Sequence, residues 1–325
     1  MVKIDLITGI LGSGKTTFIR KYARYLLSKG MKIAILENDF GAVNVDMMML
    51  SDLSSDNCEL AMITGGGDPD CHKRRFKTQL ISLGMQHFDR VIIEPSGIFD
   101  MDEFFDTLYE SPLDRWFEIG SVITVIDAQT EDILPEQYEY LFASEAACCG
   151  MLILSKISAL SDELPEQAAQ RCISHLNRAL EGIQCNRRFS TADMLIKDWN
   201  ALDDSDYSSV MNAGYRNSGY VKRFTTDNIG SEVHYFMHIN IISENIEGVL
   251  RGIMNDNDCG NIKRIKGSVR DGNKWFEINV TKEKTQIVPI NEGQSVLIVI
   301  GEKIDRIRID NKIQLYNTDD EYVSI

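Results

Sequence analysis

The chain has 325 residues, a length that predicts about two domains at roughly 150 residues per domain. Apolar residues make up 43% of the sequence and charged residues 26%, which is the composition of an ordinary globular protein. Lysine and arginine number 34 against 49 aspartates and glutamates, so the formal net charge is −15. This acidic balance argues against a nucleic-acid groove or an anionic membrane surface as the main partner.

The sequence also predicts where the protein works. No stretch approaches the ~20 apolar residues that a membrane-spanning helix needs, and the first residues do not form a charged-then-apolar export segment. The seven cysteines are scattered, and their odd number is not typical of a secreted disulfide framework. We therefore expect a cytoplasmic protein without a membrane partner.

The first half of the sequence alternates short apolar runs with helical patterns. Between the first two runs, apolar residues repeat along one face of Thr16–Ser28, and Gly30 ends the predicted helix. This alternation predicts right-handed β-α-β units, and so an α/β domain over residues 1–200 with a mostly parallel sheet flanked by helices. The predicted buried strands are Val2–Thr8, Lys32–Glu37, Arg90–Glu94, Ser121–Asp127 and Met151–Leu154.

The texture changes in the second half. Residues 201–219 are rich in aspartate, serine and asparagine, which predicts a surface linker. Beyond this stretch, two-residue alternation predicts strands, and one helical segment over Glu244–Met254 interrupts them. We expect a smaller α+β domain over residues 220–325, with strands at His234–Ile242, Trp275–Val280 and Ser295–Ile300.

The segment Gly9-Ile-Leu-Gly12-Ser-Gly14-Lys15-Thr16 fits the pattern G-x-x-x-x-G-K-[ST] between a predicted strand and a predicted helix. Glycines in such a loop let backbone N–H groups cradle phosphate oxygens, and the helix N-terminus favours negative charge. The lysine reaches the β- and γ-phosphates, and the threonine hydroxyl is a hard oxygen ligand for Mg²⁺. The sequence therefore predicts a nucleotide-binding loop formed by Gly12, Ser13, Gly14, Lys15, Thr16 and Thr17.

Further motifs follow the next predicted strands. Glu37-Asn-Asp-Phe-Gly41 follows the second strand, Ile92-Ile-Glu94-Pro-Ser-Gly97 ends the third, and Val122–Ala128 forms a later one. The set resembles the CobW/HypB/UreG family of P-loop GTPases, in particular CobW-like members with a C-terminal CobW-type domain. Near the end of the chain, Arg264-Ile-Lys-Gly267 and Val296–Asp305 resemble features of that second domain.

This resemblance implies roles for particular residues. Glu94 stands where the family has a glutamate that orients a Mg²⁺-bound water, and Gly97 would sense the γ-phosphate through its backbone N–H. Asp39 would be a carboxylate on the Mg²⁺ side. The implied catalytic groups are thus Lys15, Glu94 and Gly97, and Mg²⁺ would be held by Thr16, Asp39 and Glu94.

The sequence departs from the family at its metal motif. The family has G-C-x-C-C, whereas this chain has Gly67-Asp68-Pro-Asp70-Cys71, so two thiolate positions carry carboxylates. Thiolates suit Zn²⁺ and other soft or borderline ions, whereas carboxylates suit harder ones. Either Asp68, Asp70 and Cys71, together with Glu37, hold a transition metal, with weaker Zn²⁺ affinity than a thiolate-rich site, or the metal role has been lost.

A second departure concerns the base. The family reads guanine with N-K-x-D, but this chain has Ser155-Lys156-Ile-Ser158. Lys156 can still pack against the base, although the carboxylate that binds the guanine N–H groups is missing. Such a contact is worth about 1–3 kcal/mol, or roughly ten- to a hundredfold in discrimination. Both GTP and ATP therefore stay open as the nucleotide.

Together these features predict a Mg²⁺-dependent nucleoside triphosphatase with slow intrinsic turnover, which delivers a metal or metal cofactor to a client metalloprotein. The alternative is a nucleotide-gated interaction protein that has lost the metal-transfer role. A third reading, a P-loop kinase of a small metabolite, would need basic phosphate clamps, for which Lys73–Lys77 is the candidate. The metal, the client and the oligomeric state are not determined by the sequence.

Overall fold

The computed structural model of the chain describes residues 1–39, 49–64, 69–95, 101–161, 163–221, 232–282, 284–291, 293 and 295–324. These residues form two compact units, one over 1–39 and 49–221 and the other over 232–324. No helix in the described ranges is long and apolar enough to cross a membrane.

A seven-stranded sheet forms the centre of the first unit. Its strands are β1 (Val2–Thr8), β2 (Ile33–Asp39), β3 (Cys58–Thr64), β4 (Arg90–Glu94), β5 (Phe117–Asp127), β6 (Met151–Ser155) and β7 (Met194–Leu195). They lie in the order β3-β2-β4-β1-β5-β6-β7, and paired neighbours run parallel. The predicted α/β fold with a mostly parallel sheet is confirmed.

Helices cover both faces of this sheet. They are α1 (Lys15–Ser28), α2 (Pro69–Gly84), α3 (Met101–Leu108), α4 (Leu113–Trp116), α5 (Glu136–Ala147), α6 (Pro165–Gly182) and α7 (Asp204–Met211). The central strand β1 divides its side chains between two apolar layers, because successive residues point to opposite faces. Ile4 and Leu6 pack in the layer of α2–α6, and Ile7 packs in the layer of α1 and α7.

The segment predicted as a surface linker folds differently from that expectation. Within 201–219, helix α7 forms, and its Val210 side chain is fully buried in the layer of α1. The side chain of Asp203 accepts hydrogen bonds from the backbone N–H groups of Ser205 and Asp206. The polar run is therefore the capping sequence of a short helix, because aspartate at the N-cap satisfies the orphan donors of the first turn.

Two strands of the sheet were not predicted, and both lie at its edges. β3 carries Glu59, and its apolar run Leu60–Ile63 includes the exposed Met62. β7 consists of only two residues, which is too short for a pattern to indicate it. The outer strands of a sheet bury less surface, so they leave a weaker signal in the sequence.

Over the described residues, the second unit is a six-stranded antiparallel sheet with two α-helices. Its strands are β8 (Glu232–Met237), β9 (Asn261–Asp271), β10 (Lys274–Val280), β11 (Thr285–Ile290), β12 (Val296–Glu302) and β13 (Val323–Ser324), in the order β11-β10-β9-β12-β8-β13. Helices α8 (Ser243–Met254) and α9 (Arg306–Gln314) pack on one apolar layer of it. This confirms the expected α+β unit, but the predicted strand His234–Ile242 ends at Met237, because His238 has a φ of 58°.

Candidate nucleotide-binding site

The loop between β1 and α1 lies at the carboxyl end of the central strand, where parallel α/β sheets bind their ligands. Gly14 is the N-cap of α1, with φ 102° and ψ 19°, and no side chain caps the helix there. The first-turn N–H groups have no partner within the helix itself. They are therefore suited to bind phosphate oxygens, which the helix dipole also favours.

Two glycines of the loop are required by its geometry. Gly9 has a φ of 136°, and a Cβ atom there would lie 2.4 Å from the carbonyl oxygen of Val125. A Cβ atom at Gly14 would lie 3.2 Å from the Trp199 ring. Both positions combine a left-handed backbone with a close neighbour, so a larger residue would displace the loop from β5 or from the indole.

The Lys15 side chain folds back over the loop. Its Nζ donates a hydrogen bond of 2.7 Å to the Gly9 carbonyl oxygen and lies 3.5 Å from that of Ile10. The residue is only 6% exposed, and Nζ lies 4.0 Å from Oε1 of Glu94. The ammonium is thus held in place by the loop backbone, beside a carboxylate from β4. Because an ammonium has three donors, it retains capacity for phosphate oxygens.

Thr16 and Glu94 come together although they are 78 residues apart in the sequence. The Thr16 hydroxyl donates to Oε2 of Glu94 at 2.9 Å, and Oε1 lies 3.2 Å away. Both residues are buried, and Glu37 on β2 is a buried register partner of Glu94 on β4. A hydroxyl and adjacent carboxylates are the oxygen ligands that Mg²⁺ prefers, so this cluster fits a Mg²⁺ ion.

The remaining residues of the predicted loop are Gly12, Ser13 and Thr17. Gly12 has a φ of 82°, Ser13 is buried and donates its backbone N–H to the Ile10 carbonyl oxygen, and Thr17 is exposed on the first turn of α1. The buried Ser13 hydroxyl has no hydrogen-bond partner among the described residues. The backbone groups and side chains of the loop are therefore closely packed around Lys15.

Several predicted residues lie outside the part of the chain that the structure describes. Gly97 and Asp68 fall in undescribed segments, and the side chains of Asp39, Asp70 and Cys71 are also not described. Among the described residues, no group of three or more histidine, cysteine, aspartate or glutamate side chains is placed to hold a metal ion. The second metal site predicted from Glu37, Asp68, Asp70 and Cys71 stays a prediction.

The segment predicted to meet the base follows β6. Lys156 has a φ of 53°, and its ammonium forms an exposed ion pair with the Asp127 carboxylate at the end of β5. The Ser155 hydroxyl is buried and donates to the Ile126 carbonyl oxygen at 3.2 Å. Ser158 is exposed. This segment thus has an ion pair at Lys156, and serines at the positions where the guanine motif has an asparagine and an aspartate.

Two residues near the loop were missed by sequence reasoning. Trp199 packs edge-to-face on Phe18 of α1 with ring centroids 5.4 Å apart, and its indole N–H donates to the Leu154 carbonyl oxygen. Glu145 on α5 accepts a hydrogen bond of 2.8 Å from the Gly9 N–H and is fully buried. A lone glutamate in the apolar run of α5 was the available signal for the second contact.

The described cysteines lie in the interior of the two units. All six are free and buried, and they are Cys58, Cys148, Cys149, Cys172, Cys185 and Cys259. Burial raises the pKa of the Cys149 thiol to about 12 and that of Cys58 to about 11. Because the thiolate is the form that ligates metals and attacks disulfides, burial makes Cys149 and Cys58 poor ligands and nucleophiles.

Comparison with known proteins assigns the family. The family model "CobW/HypB/UreG, nucleotide-binding domain" matches residues 3–184. This chain belongs to the CobW/HypB/UreG family.

Individual relatives cover less of the chain. The zinc chaperone YjiA of Escherichia coli K12 is 27% identical over 180 residues, which are 52% of this chain and 54% of that protein. The zinc chaperone YeiR of the same organism is 29% identical over 174 residues, which are 53% of this chain and 51% of that protein. This chain thus spans about half the length of these curated relatives. The alignment with a crystal structure of Zn(II)-bound YjiA GTPase from E. coli covers 98% of this chain and 99% of that chain, with 16% sequence identity and a TM-score of 0.36.

Proposed function

We propose that this protein binds a nucleoside triphosphate with Mg²⁺ at the loop between β1 and α1, hydrolyses it slowly, and couples the cycle to delivery of a metal to a client metalloprotein in the cytoplasm. The observation that carries the proposal is the buried cluster of Lys15, Thr16 and Glu94 in a member of the CobW/HypB/UreG family. Either GTP or ATP serves as the nucleotide.

The phosphates bind along the backbone of the loop and the N-terminus of α1. Lys15 supplies the positive charge, and its contact with the Gly9 carbonyl oxygen holds the ammonium in place before the nucleotide arrives. Little side-chain order then has to be created on binding, which reduces the entropic cost of association. Lys15 acts first in binding and then by stabilising the charge that develops on the transferred phosphoryl group.

Thr16 and Glu94 would hold Mg²⁺, and the buried Glu37 is the register partner of Glu94 on the neighbouring strand. When bound, Mg²⁺ supplies charge neutralisation at the phosphate oxygens. Glu94 orients the attacking water and accepts its proton, because its carboxylate ends β4 at the edge of the phosphate site. Since the carboxylate also accepts a hydrogen bond from Thr16, its position is fixed relative to α1.

The metal cargo is a separate question from the nucleotide. Two relatives that match about half of this chain are named zinc chaperones, which favours a metal-delivery role. The segment Asp68–Cys71, with two carboxylates in place of thiolates, favours instead the second candidate, a nucleotide-gated interaction protein without a metal role. The kinase reading loses support because Lys73 and Lys77 pair with Glu110, at 3.7 and 2.6 Å.

Metal binding to the nucleotide-loaded protein distinguishes these candidates. We expect Co²⁺ to bind with a sulfur-to-cobalt charge-transfer band that Cys71→Ser removes, since a thiolate ligand produces that band. The pair Asp68→Ala/Asp70→Ala weakens Co²⁺ binding, and binding tightens as the pH rises and the thiol ionises. Cys259→Ala, a buried cysteine in the second unit, is the matched control and should keep the band.

The outcomes separate the two functions. If wild-type protein shows no charge-transfer band, and calorimetry finds only the Mg²⁺ that accompanies the nucleotide, the metal-delivery proposal fails and the interaction protein becomes the better account. If the protein instead transfers phosphate to a metabolite, the phosphorylated product identifies a kinase. Release of inorganic phosphate by protein with a bound transition metal supports nucleotide hydrolysis coupled to metal delivery.

A further inference from the structure

Glu145 is a buried acid at the phosphate-binding loop, to which the proposed reaction gives no role. It lies in the last turn of α5, and its backbone carbonyl oxygen accepts hydrogen bonds of 3.1 Å from the hydroxyl groups of Thr8 and Thr124. Thr8 ends β1 and Thr124 lies in β5, and their hydroxyl oxygens are 2.8 Å apart. The end of α5 is therefore fixed to the two central strands directly below the loop.

The Glu145 side chain is linked to Lys15 through a single residue. Oε2 of Glu145 accepts the N–H of Gly9 at 2.8 Å, and the carbonyl oxygen of Gly9 accepts Nζ of Lys15 at 2.7 Å. Gly9 is thus held from both sides, by an acid and by an ammonium. The second oxygen of Glu145, Oε1, is buried and has no hydrogen-bond partner among the described residues.

This environment disfavours a charge on Glu145. Burial raises its pKa to about 7, against the opposing effects of the nearby Lys15 ammonium and of the Gly9 hydrogen bond. On α5 itself the adjacent residues are uncharged. The threonine hydroxyls of β1 and β5 bond to the backbone carbonyl oxygen of Glu145 and carry no charge. Glu94 lies beside Lys15, 4.0 Å from its ammonium. The ionised form of Glu145 therefore depends on the Lys15 ammonium and the Gly9 N–H for its stabilisation.

We propose that Glu145 is a positioning residue that holds Gly9 in the phosphate-binding loop, and that it takes up a proton when the nucleoside triphosphate binds. The inference rests on the proposed nucleotide-binding function. Bound phosphates engage the Lys15 ammonium and bring negative charge to the loop, so the ionised form of Glu145 becomes less favourable in the complex than in the free protein. Neutral Glu145 keeps its role, because its carbonyl oxygen can still accept the Gly9 N–H.

The sign of the resulting pH dependence follows from linkage. The complex binds more protons than the free protein, so nucleotide affinity is highest at low pH and falls as the pH rises between the two pKa values of Glu145. If the bound phosphates raise the pKa of Glu145 by about one unit, affinity falls about tenfold over this range. With the same difference, binding takes up about half a proton at pH 7.5.

The decisive variant is Glu145→Gln, which keeps an oxygen acceptor for Gly9 but does not titrate. We expect it to match wild-type affinity for Mg²⁺-GTP or Mg²⁺-ATP at pH 6 and to bind about tenfold more tightly than wild type at pH 9. Isothermal titration in buffers of different ionisation enthalpy gives the number of protons taken up, which should fall by about half a proton at pH 7.5. The phosphates of the nucleotide titrate equally for both proteins, so the difference isolates Glu145.

Two more variants exclude a merely structural role. Glu145→Ala removes the acceptor and leaves the Gly9 N–H buried without a partner, so its affinity should be about tenfold lower than that of Glu145→Gln at every pH. Rescue by glutamine but not by alanine identifies the contact with Gly9 as the cause. Glu139→Gln, on the same helix but paired with His175, is the matched control and should follow the wild-type pH profile.

Parallel pH profiles and equal proton counts for wild type and Glu145→Gln would overturn the inference while leaving the nucleotide-binding proposal intact. Failure of wild type to bind either nucleotide would instead remove the proposed function. If Glu145→Gln does not fold, the wild-type proton count at pH 7.5, corrected for the titration of the free nucleotide, still decides: a value near zero overturns the inference, and about half a proton supports it.

Discussion

The two ends of the candidate nucleotide site are built on different principles. At the phosphate end, Gly9, Lys15, Thr16 and Glu94 form a buried network in which hydrogen bonds join the loop after β1, helix α1 and strand β4. At the base end, the segment after β6 has an exposed Lys156 whose ion pair with Asp127 faces solvent. Buried polar networks are strong and specific when their groups are satisfied, whereas exposed ion pairs contribute little.

This difference suggests which property of the nucleotide the protein recognises. The phosphate end fits the triphosphate and its Mg²⁺ through backbone N–H groups, an ammonium and hard oxygen ligands, and these groups do not depend on the base. The base end lacks the carboxylate that would bind guanine at two N–H groups. Recognition is therefore expected to be strong for the phosphates and weak for the base.

The largest expected effect comes from the phosphate end. Lys15→Ala should abolish detectable triphosphate hydrolysis, since no other described side chain of the loop carries a positive charge. Phosphate release and a thermal melt measure activity and folding separately. Lys29→Ala is the control. Lys29 lies at the C-terminal end of α1 and pairs with Asp204 on the surface, so its removal should leave turnover unchanged. Wild-type turnover from a folded Lys15→Ala protein would contradict the assignment of the site.

Glu94→Gln tests the carboxylate of the same network. Glutamine keeps an acceptor for the Thr16 hydroxyl and an oxygen for Mg²⁺ but cannot take a proton from water, so hydrolysis should fall about 100-fold or more and nucleotide affinity should fall by less. Single-turnover measurements with bound nucleotide separate the two quantities. Glu118→Gln changes an exposed carboxylate at the start of β5 and serves as the control. Equal losses in affinity and turnover would mean that Glu94 acts mainly in binding.

At the base end, the wild-type protein should bind GTP and ATP within about tenfold of each other. The double variant Ser155→Asn/Ser158→Asp restores a carboxylate and should raise the preference for GTP by roughly ten- to a hundredfold. Competition titrations with both nucleotides give this ratio. Ser161→Asp adds the same charge a few residues away and should not change it. A wild-type preference for GTP above about a hundredfold would show that another group reads the base.

The same contrast explains what the sequence could predict. Gly9–Thr16 is a contiguous motif whose conformation is set by local residues, so the loop and the start of α1 are where the sequence placed them. Glu94 could be predicted because it ends a buried strand of a parallel sheet, and such ends converge. Local geometry and sheet topology were therefore sufficient to bring Lys15, Thr16 and Glu94 together, as the structure shows.

Contacts that depend on packing between distant elements could not be predicted in this way. Glu145 is 136 residues from Gly9, and only the docking of α5 against β1 and β5 brings the two together. Trp199 reaches the loop because the segment after β7 returns to α1. Such contacts leave no periodic pattern, since one residue from each element takes part.

The smallest expected effect concerns Trp199, which contacts the phosphate end from the side of β6. Its indole lies against Gly14, packs on Phe18 and donates a hydrogen bond of 3.0 Å to the Leu154 carbonyl oxygen. Trp199→Phe keeps an aromatic ring but loses that hydrogen bond, a net cost of about 1 kcal/mol. Nucleotide affinity should therefore fall by no more than about fivefold.

Fluorescence gives this prediction a second readout. Because Trp199 contacts the loop, its emission should change when nucleotide binds, and that change should disappear in Trp199→Phe. Trp275→Phe, in β10 of the second unit, is the matched control and should keep the change. A nucleotide-dependent signal that survives Trp199→Phe and disappears in Trp275→Phe would show that binding is sensed in the second unit. The Trp199 indole would then be less sensitive to nucleotide binding at the loop than its contact with Gly14 indicates.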